Sequence, residues 1–108
     1  MIALGGRELI PGGYEALAPS AAIGFSSSYL AQSSGAFAGR YAQAALVMVE
    51  TRDCRYTLDG VTTPTNAIGM LVAAGDYIPI LISGQMALAN FRIIETAASA
   101  SVKVTYFY

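Results

Sequence analysis

Across residues 54–108 apolar side chains recur at every second position, the period of a strand with one buried face, and this alternation confines the chain to a β-rich fold. In Cys54-Arg55-Tyr56-Thr57-Leu58 the apolar Cys54, Tyr56 and Leu58 share a face, opposite Arg55 and Thr57. Leu58 therefore sits on a predicted core face, where Leu58→Asp is expected to be severely destabilising. Val102, Val104, Tyr106 and Tyr108 share a second such face, opposite Lys103, Thr105 and Phe107. Phe91 and Ile93 share a third. Residues 45–50 are apolar on both faces, as in a central strand covered on both sides. Residues 77–83 read similarly, but Pro79 cannot donate to a ladder, which predicts a sheet edge or a bulge there.

Turn chemistry separates these runs. Asp59-Gly60 supplies a positive-φ turn, Gly75-Asp76 marks the next corner, and residues 62–66 and 97–99 read as loops. The best helical candidate, residues 29–45, is broken by Ser33-Ser34-Gly35 and by Gly39. Towards the N-terminus, Gly5-Gly6 and Pro11-Gly12-Gly13 punctuate a leading arm over residues 1–13, and residues 14–25 hold one or two strands around Pro19. Ser26-Ser27-Ser28 and Ser33-Ser34-Gly35 mark a small polar excursion before the central strands. With no helical crossover to join parallel neighbours, pairing is antiparallel. The prediction is a single all-β domain over residues 1–108, an antiparallel β-sandwich or jelly roll of about seven or eight short strands with an extended N-terminal arm.

The residues that chemistry would need are missing or better explained as scaffold. The chain has no histidine, which removes the usual imidazole base and histidine-rich metal sites, and one cysteine cannot build a thiolate zinc site. Asp53, Asp59 and Asp76 are the candidate carboxylates for a glycosidase or a calcium site, yet each lies beside a turn that its side chain can hold. Cys54 reads as a buried filler. No catalytic residue, cofactor site or metal site is expected. Six basic and seven acidic residues are scattered singly, which argues against nucleic acid and against an anionic membrane surface. The apolar runs are far short of the ~20 residues a bilayer span requires. The first thirteen residues contain Arg7 and Glu8 and no apolar core of signal-peptide length, so synthesis in the cytoplasm is expected.

Low charge has a further consequence. A folded chain of 11.2 kDa exposes about 5,700 Å², of which thirteen charged side chains at roughly 100 Å² each mask only about a quarter. A surface that apolar is commonly completed by a partner. The closing strand offers candidates: Tyr106 and Tyr108 on one face, and Phe107 on the other, where it is expected to pack against another subunit or a larger assembly that the chain joins. The alternative is Phe107 covered by the N-terminal arm. A sugar-binding platform of Tyr29, Tyr41 and Tyr56 is a competing use of the seven tyrosines.

The residues Cys54-Arg-Tyr-Thr-Leu-Asp-Gly60, then Thr63-Pro64-Thr65, then the run from Gly69 to Gly75-Asp76, then Asn90-Phe91-Arg92-Ile93-Ile94, resemble small virion proteins of tailed bacteriophages. The likeness covers residues 45–108 and lies in turns and core positions. It implies a non-enzymatic β-sandwich that decorates or cements the phage head, with a neck, tail or fibre component, or a carbohydrate-binding module for host attachment, as the alternatives. It further implies a homo-oligomer, a trimer by preference, that contacts the major capsid protein or other virion proteins. A weaker likeness of residues 71–78 to trimeric jelly rolls of the tumour-necrosis-factor type rests on one hairpin.

Overall fold

The computed structural model describes the backbone of residues 2–4 and 7–108 and the side chains from Glu8 onward. Its elements run β1 (Ile2–Leu4), β2 (Arg7–Leu9), β3 (Pro11–Leu17), α1 (Ser27–Leu30), β4 (Ala44–Glu50), β5 (Cys54–Thr57), β6 (Met70–Val72), β7 (Ile80–Ser83), α2 (Gln85–Asn90), β8 (Arg92–Glu95) and β9 (Ser101–Phe107). β1 and β2 form a hairpin. The rest build a four-stranded sheet in the order β3-β9-β4-β7 and a three-stranded sheet in the order β6-β5-β8, all antiparallel. This is the all-β sandwich that the alternation predicts. Between Glu50 and Ser101 the chain changes sheet four times, so the two layers are laced together rather than built one after the other.

Register shows how alternation becomes a core. Across the large sheet, Glu15, Val104, Val47 and Ile80 form one inward row, and Leu17, Val102 and Val49 the next. Cys54 and Ile93 face them from the small sheet, and all except Glu15 and Ile80 belong to one core cluster, against which Ile80 packs. β4 and β9 lie in the middle of the large sheet, which is why both are the longest and most buried strands of the chain's C-terminal part. β7 lies at the edge, with Pro79 immediately before it, where a missing N–H costs no ladder bond. Surface area is 5816 Å², the value the mass alone demands, so the apolar surface described below does not come from loose packing.

Three features depart from the sequence reading. Residues 11–13 open β3 and pair with the end of β9, so the sheet begins inside the segment read as an arm. Leu58 lies beyond the end of β5 and is 37% exposed, which removes it from the core. Alternation pointed it inward, but the strand stops at Thr57, and the Asp59 turn carries Leu58 away. The excursion over residues 24–42 is not a polar flap: it lays Phe25, Tyr29 and Phe37 over the C-terminal strand. Phe25 stacks on Phe91 at 4.2 Å, Tyr29 stacks on Tyr106 at 5.0 Å, and Phe37 stacks on Tyr108 at 4.9 Å. Gly12 and Gly13 make room for this layer. A Cβ on Gly13 would stand 2.7 Å from the Tyr29 ring, and one on Gly12 would stand 2.5 Å from that of Phe37.

Candidate functional site

Of the three aspartates singled out from sequence, Asp59 and Asp53 hold backbone with their carboxylates. Asp59 Oδ1 accepts the N–H groups of Val61 and Thr62 at 3.0 and 2.8 Å, and Oδ2 accepts the Thr62 hydroxyl at 2.6 Å. These bonds to its charged form hold the Asp59 carboxyl below the usual carboxylate range. Asp53 Oδ1 accepts the N–H of Ala74 at 2.9 Å and so ties β5 to the short 3₁₀ turn Ala74–Asp76. Asp76 ends that turn. Cys54 is fully buried, and burial, followed by the negative fields of Glu95 and Asp53, pushes its thiol up to about 11. A thiol so protonated at neutral pH is a poor nucleophile. Among the described residues no three histidine, cysteine or carboxylate side chains converge in a way that could hold a metal ion. No helix among them is long and apolar enough to cross a membrane. Arg92, beside a small polar hollow at Gly60, Thr62 and Asn90, donates from Nη1 to the carbonyls of Ala89 and Phe91.

The expected interface aromatics are placed inside the chain. Tyr106 and Tyr108 are fully buried. The Tyr106 hydroxyl donates to the Glu15 carboxylate, which also accepts the N–H of Ser26 at 3.1 Å. That network explains how an edge strand can point a carboxylate inward: Glu15 finds two donors there. The Tyr108 hydroxyl donates to the Tyr29 carbonyl at 2.6 Å. Phe107 does face the other side of the sheet, but it is only 6% exposed and clusters with Leu9, Ala44 and Leu46. Its cover in the structure includes Leu9 of the N-terminal segment. Phe107→Ala is accordingly expected to cost about 3 kcal/mol of folding stability, as a buried phenyl ring does, with no change in oligomeric state. Urea unfolding together with light scattering checks both halves; a variant of unchanged stability and altered mass restores the interface assignment.

Tyr29, Tyr41 and Tyr56 do not share a platform. Tyr29 is half-buried against Tyr106, Tyr56 stacks on Phe91 at 5.9 Å, and Tyr41 stands beside α1 and α2.

The most unusual surface lies where sequence reading placed ordinary turns and strands. Of the thirteen large apolar side chains that stand exposed among the described residues, seven fall between Leu58 and Ile78. Met70, Leu71, Tyr77 and Ile78 are 64%, 55%, 66% and 65% exposed. They gather around β6 and the connection to β7, and each of these strands is the free edge of its sheet. Two shallow hollows meet here. One, of about 350 Å³, is floored by Tyr56, Leu58, Ile68 and Met70. The other, of about 220 Å³, lies between Met70, Leu71, Ile78 and Ile80. Met70 and Tyr56 border both. Tyr77 is held in the left-handed region (φ 49°), a conformation that costs a non-glycine residue roughly 1–2 kcal/mol and is kept only where the surroundings impose it. The signal was present in the sequence, since Met70-Leu71-Val72 and Tyr77-Ile78 break the alternation, but an unbroken apolar run reads equally well as a strand buried on both faces. No protein-family model, no curated protein and no solved structure matches this chain.

Proposed function

We propose that this protein is a non-enzymatic structural component of a tailed-bacteriophage virion, a decoration or cement protein made in the host cytoplasm that stabilises the head by assembling on the capsid surface. The observation that carries this reading is a well-filled core combined, in the same small domain, with a largely apolar face at two free sheet edges. A chain that can fill its interior with Phe91, Ile93, Val104 and Tyr106 has no need of Met70, Tyr77 and Ile78 outside unless something covers them. The likeness to phage proteins supports the same reading, because the residues that carry it shape this face. Asp59 and Gly60 form the turn beneath one hollow, and Gly69 and Asp76 bracket β6 and the 3₁₀ turn. Function by contact, with side chains arranged for shape and not for reaction, is what such an arrangement can do.

Particles of the encoding phage, purified through a density gradient, provide the test. The protein is expected in them at a copy number comparable to that of the capsid subunits, and heads lacking it are expected to rupture at lower temperature until purified protein is added back. Absence from the particles overturns the virion reading; presence at a few copies confined to the neck or tail overturns the decoration role.

A further inference from the structure

Resting on the reading that this chain works by assembly, we infer that the face built by β6, the 3₁₀ turn and the approach to β7 is the seat of a second copy of the same chain, docked about a two-fold axis. Its size is the first argument. Ile68, Met70, Leu71, Tyr77 and Ile78 stand between half and two-thirds exposed, so with Leu58 they present on the order of 600 Å², most of the roughly 800 Å² per partner that a standard interface buries. Its shape is the second. Met70 stands at the border of the two hollows, a flexible apolar knob beside the larger, apolar one, and a two-fold axis through such a feature sets each copy's knob in the other's hole. One patch then suffices for both partners, whereas a cyclic trimer needs a second, complementary patch. Charge is the third. The two hollows are lined by one carboxylate each, Asp59 and Asp76, and by no lysine or arginine, so a partner seated there has no ion pair to desolvate. The outer face of the large sheet differs in this respect: there the exposed Lys103–Glu50 ion pair, at 3.2 Å, would have to be desolvated by any partner.

The contact is tested on the full chain by sedimentation equilibrium over a concentration series. Wild-type protein is expected to show the mass of two chains. Met70→Glu and Ile78→Glu, each on an exposed side chain that the fold does not need, are expected to raise the dimer dissociation constant at least thirtyfold while far-ultraviolet circular dichroism and melting of the monomer stay unchanged. Met86→Glu, on α2 and outside the face, serves as the control and is expected to leave the dimer intact. A wild-type protein that is monomeric to 100-micromolar order, one with the mass of three chains, or a dimer indifferent to both substitutions overturns the inference. Particle incorporation separates this failure from that of the functional reading. A monomer that still coats particles removes the two-fold contact alone, and a dimer that never joins particles removes the virion role and leaves the contact standing.

Discussion

Tyr106→Ala is expected to lower folding stability by about 4 kcal/mol, a large share of the roughly 5–15 kcal/mol that holds a domain of this size together. The magnitude follows from what the ring touches. Tyr106 is fully buried in the middle of the large sheet, stacked on Tyr29 at 5.0 Å and edge-on to Phe25 at 5.5 Å. Truncation opens a cavity between the sheet and the covering segment, and aromatic pairs of this kind add about 0.5–1.5 kcal/mol each beyond their buried area. Removal of the hydroxyl leaves the inward Glu15 carboxylate with the N–H of Ser26 and one donor fewer. For a domain near 100 residues, a 4 kcal/mol loss lowers the melting temperature by about 15–30 °C. Tyr106→Phe keeps the ring and loses only the donor, so it is expected to cost about 1–2 kcal/mol. Thermal unfolding of both variants measures the two contributions separately. A loss below about 1 kcal/mol for Tyr106→Ala would mean that residues 24–42 do not cover this strand.

That covering segment also marks where the sequence ceased to be legible. Strands β5, β8 and β9 could be read from alternation, a period of two with one buried face, and β4 from its unbroken apolar run as a central strand. Pro79 limited β7 to an edge or a bulge, and the structure has it at the edge. Residues 24–42 carry no period, since an irregular segment places Phe25, Tyr29 and Phe37 by turns and not by register. Their serines suggested solvent, while their aromatics complete the core. Phe107 shows the same limit from the other side. Its position opposite Tyr106 and Tyr108 was readable, but which body covers that side depends on where Leu9 folds back. Pattern reports which face of a strand is apolar and never what lies against it. For that reason the face at β6 and β7 was ambiguous beforehand: exposure of Met70 and Ile78 depends on what packs against them, which an unbroken apolar run does not report.

Stability is expected to fall steeply above pH 9, and Cys54 is expected to begin the fall. Its thiol ordinarily titrates near 9, and in the folded protein burial first, then Glu95 and Asp53, push it up to about 11. Between those values the unfolded chain has lost the proton and the folded one keeps it, so the unfolded state binds fewer protons and unfolding becomes easier with each increment of pH. The contribution is intact below pH 9 and is lost as pH rises through about 11, by which point roughly 2–3 kcal/mol has gone. Tyr106 and Tyr108 extend the same trend. Burial is the main cause raising both hydroxyls above their ordinary value of 10, with the Glu15 hydrogen bond and charge next for Tyr106. Each therefore takes up to about 1.4 kcal/mol per pH unit once the unfolded tyrosines ionise. Cys54→Ala isolates the thiol. At pH 8 the variant is expected to be about 1 kcal/mol less stable than the wild type, having lost a small buried group. By pH 11 the order is expected to reverse, because only the wild type has an unfolded state stabilised by a thiolate at this position. Urea titrations at half-unit intervals from pH 8 to pH 11 reveal the crossing. Parallel curves for the two proteins would show that the Cys54 thiol ionises as freely in the folded chain as in the unfolded one, and that β5 is not sealed against β8 and β6 as the structure places it.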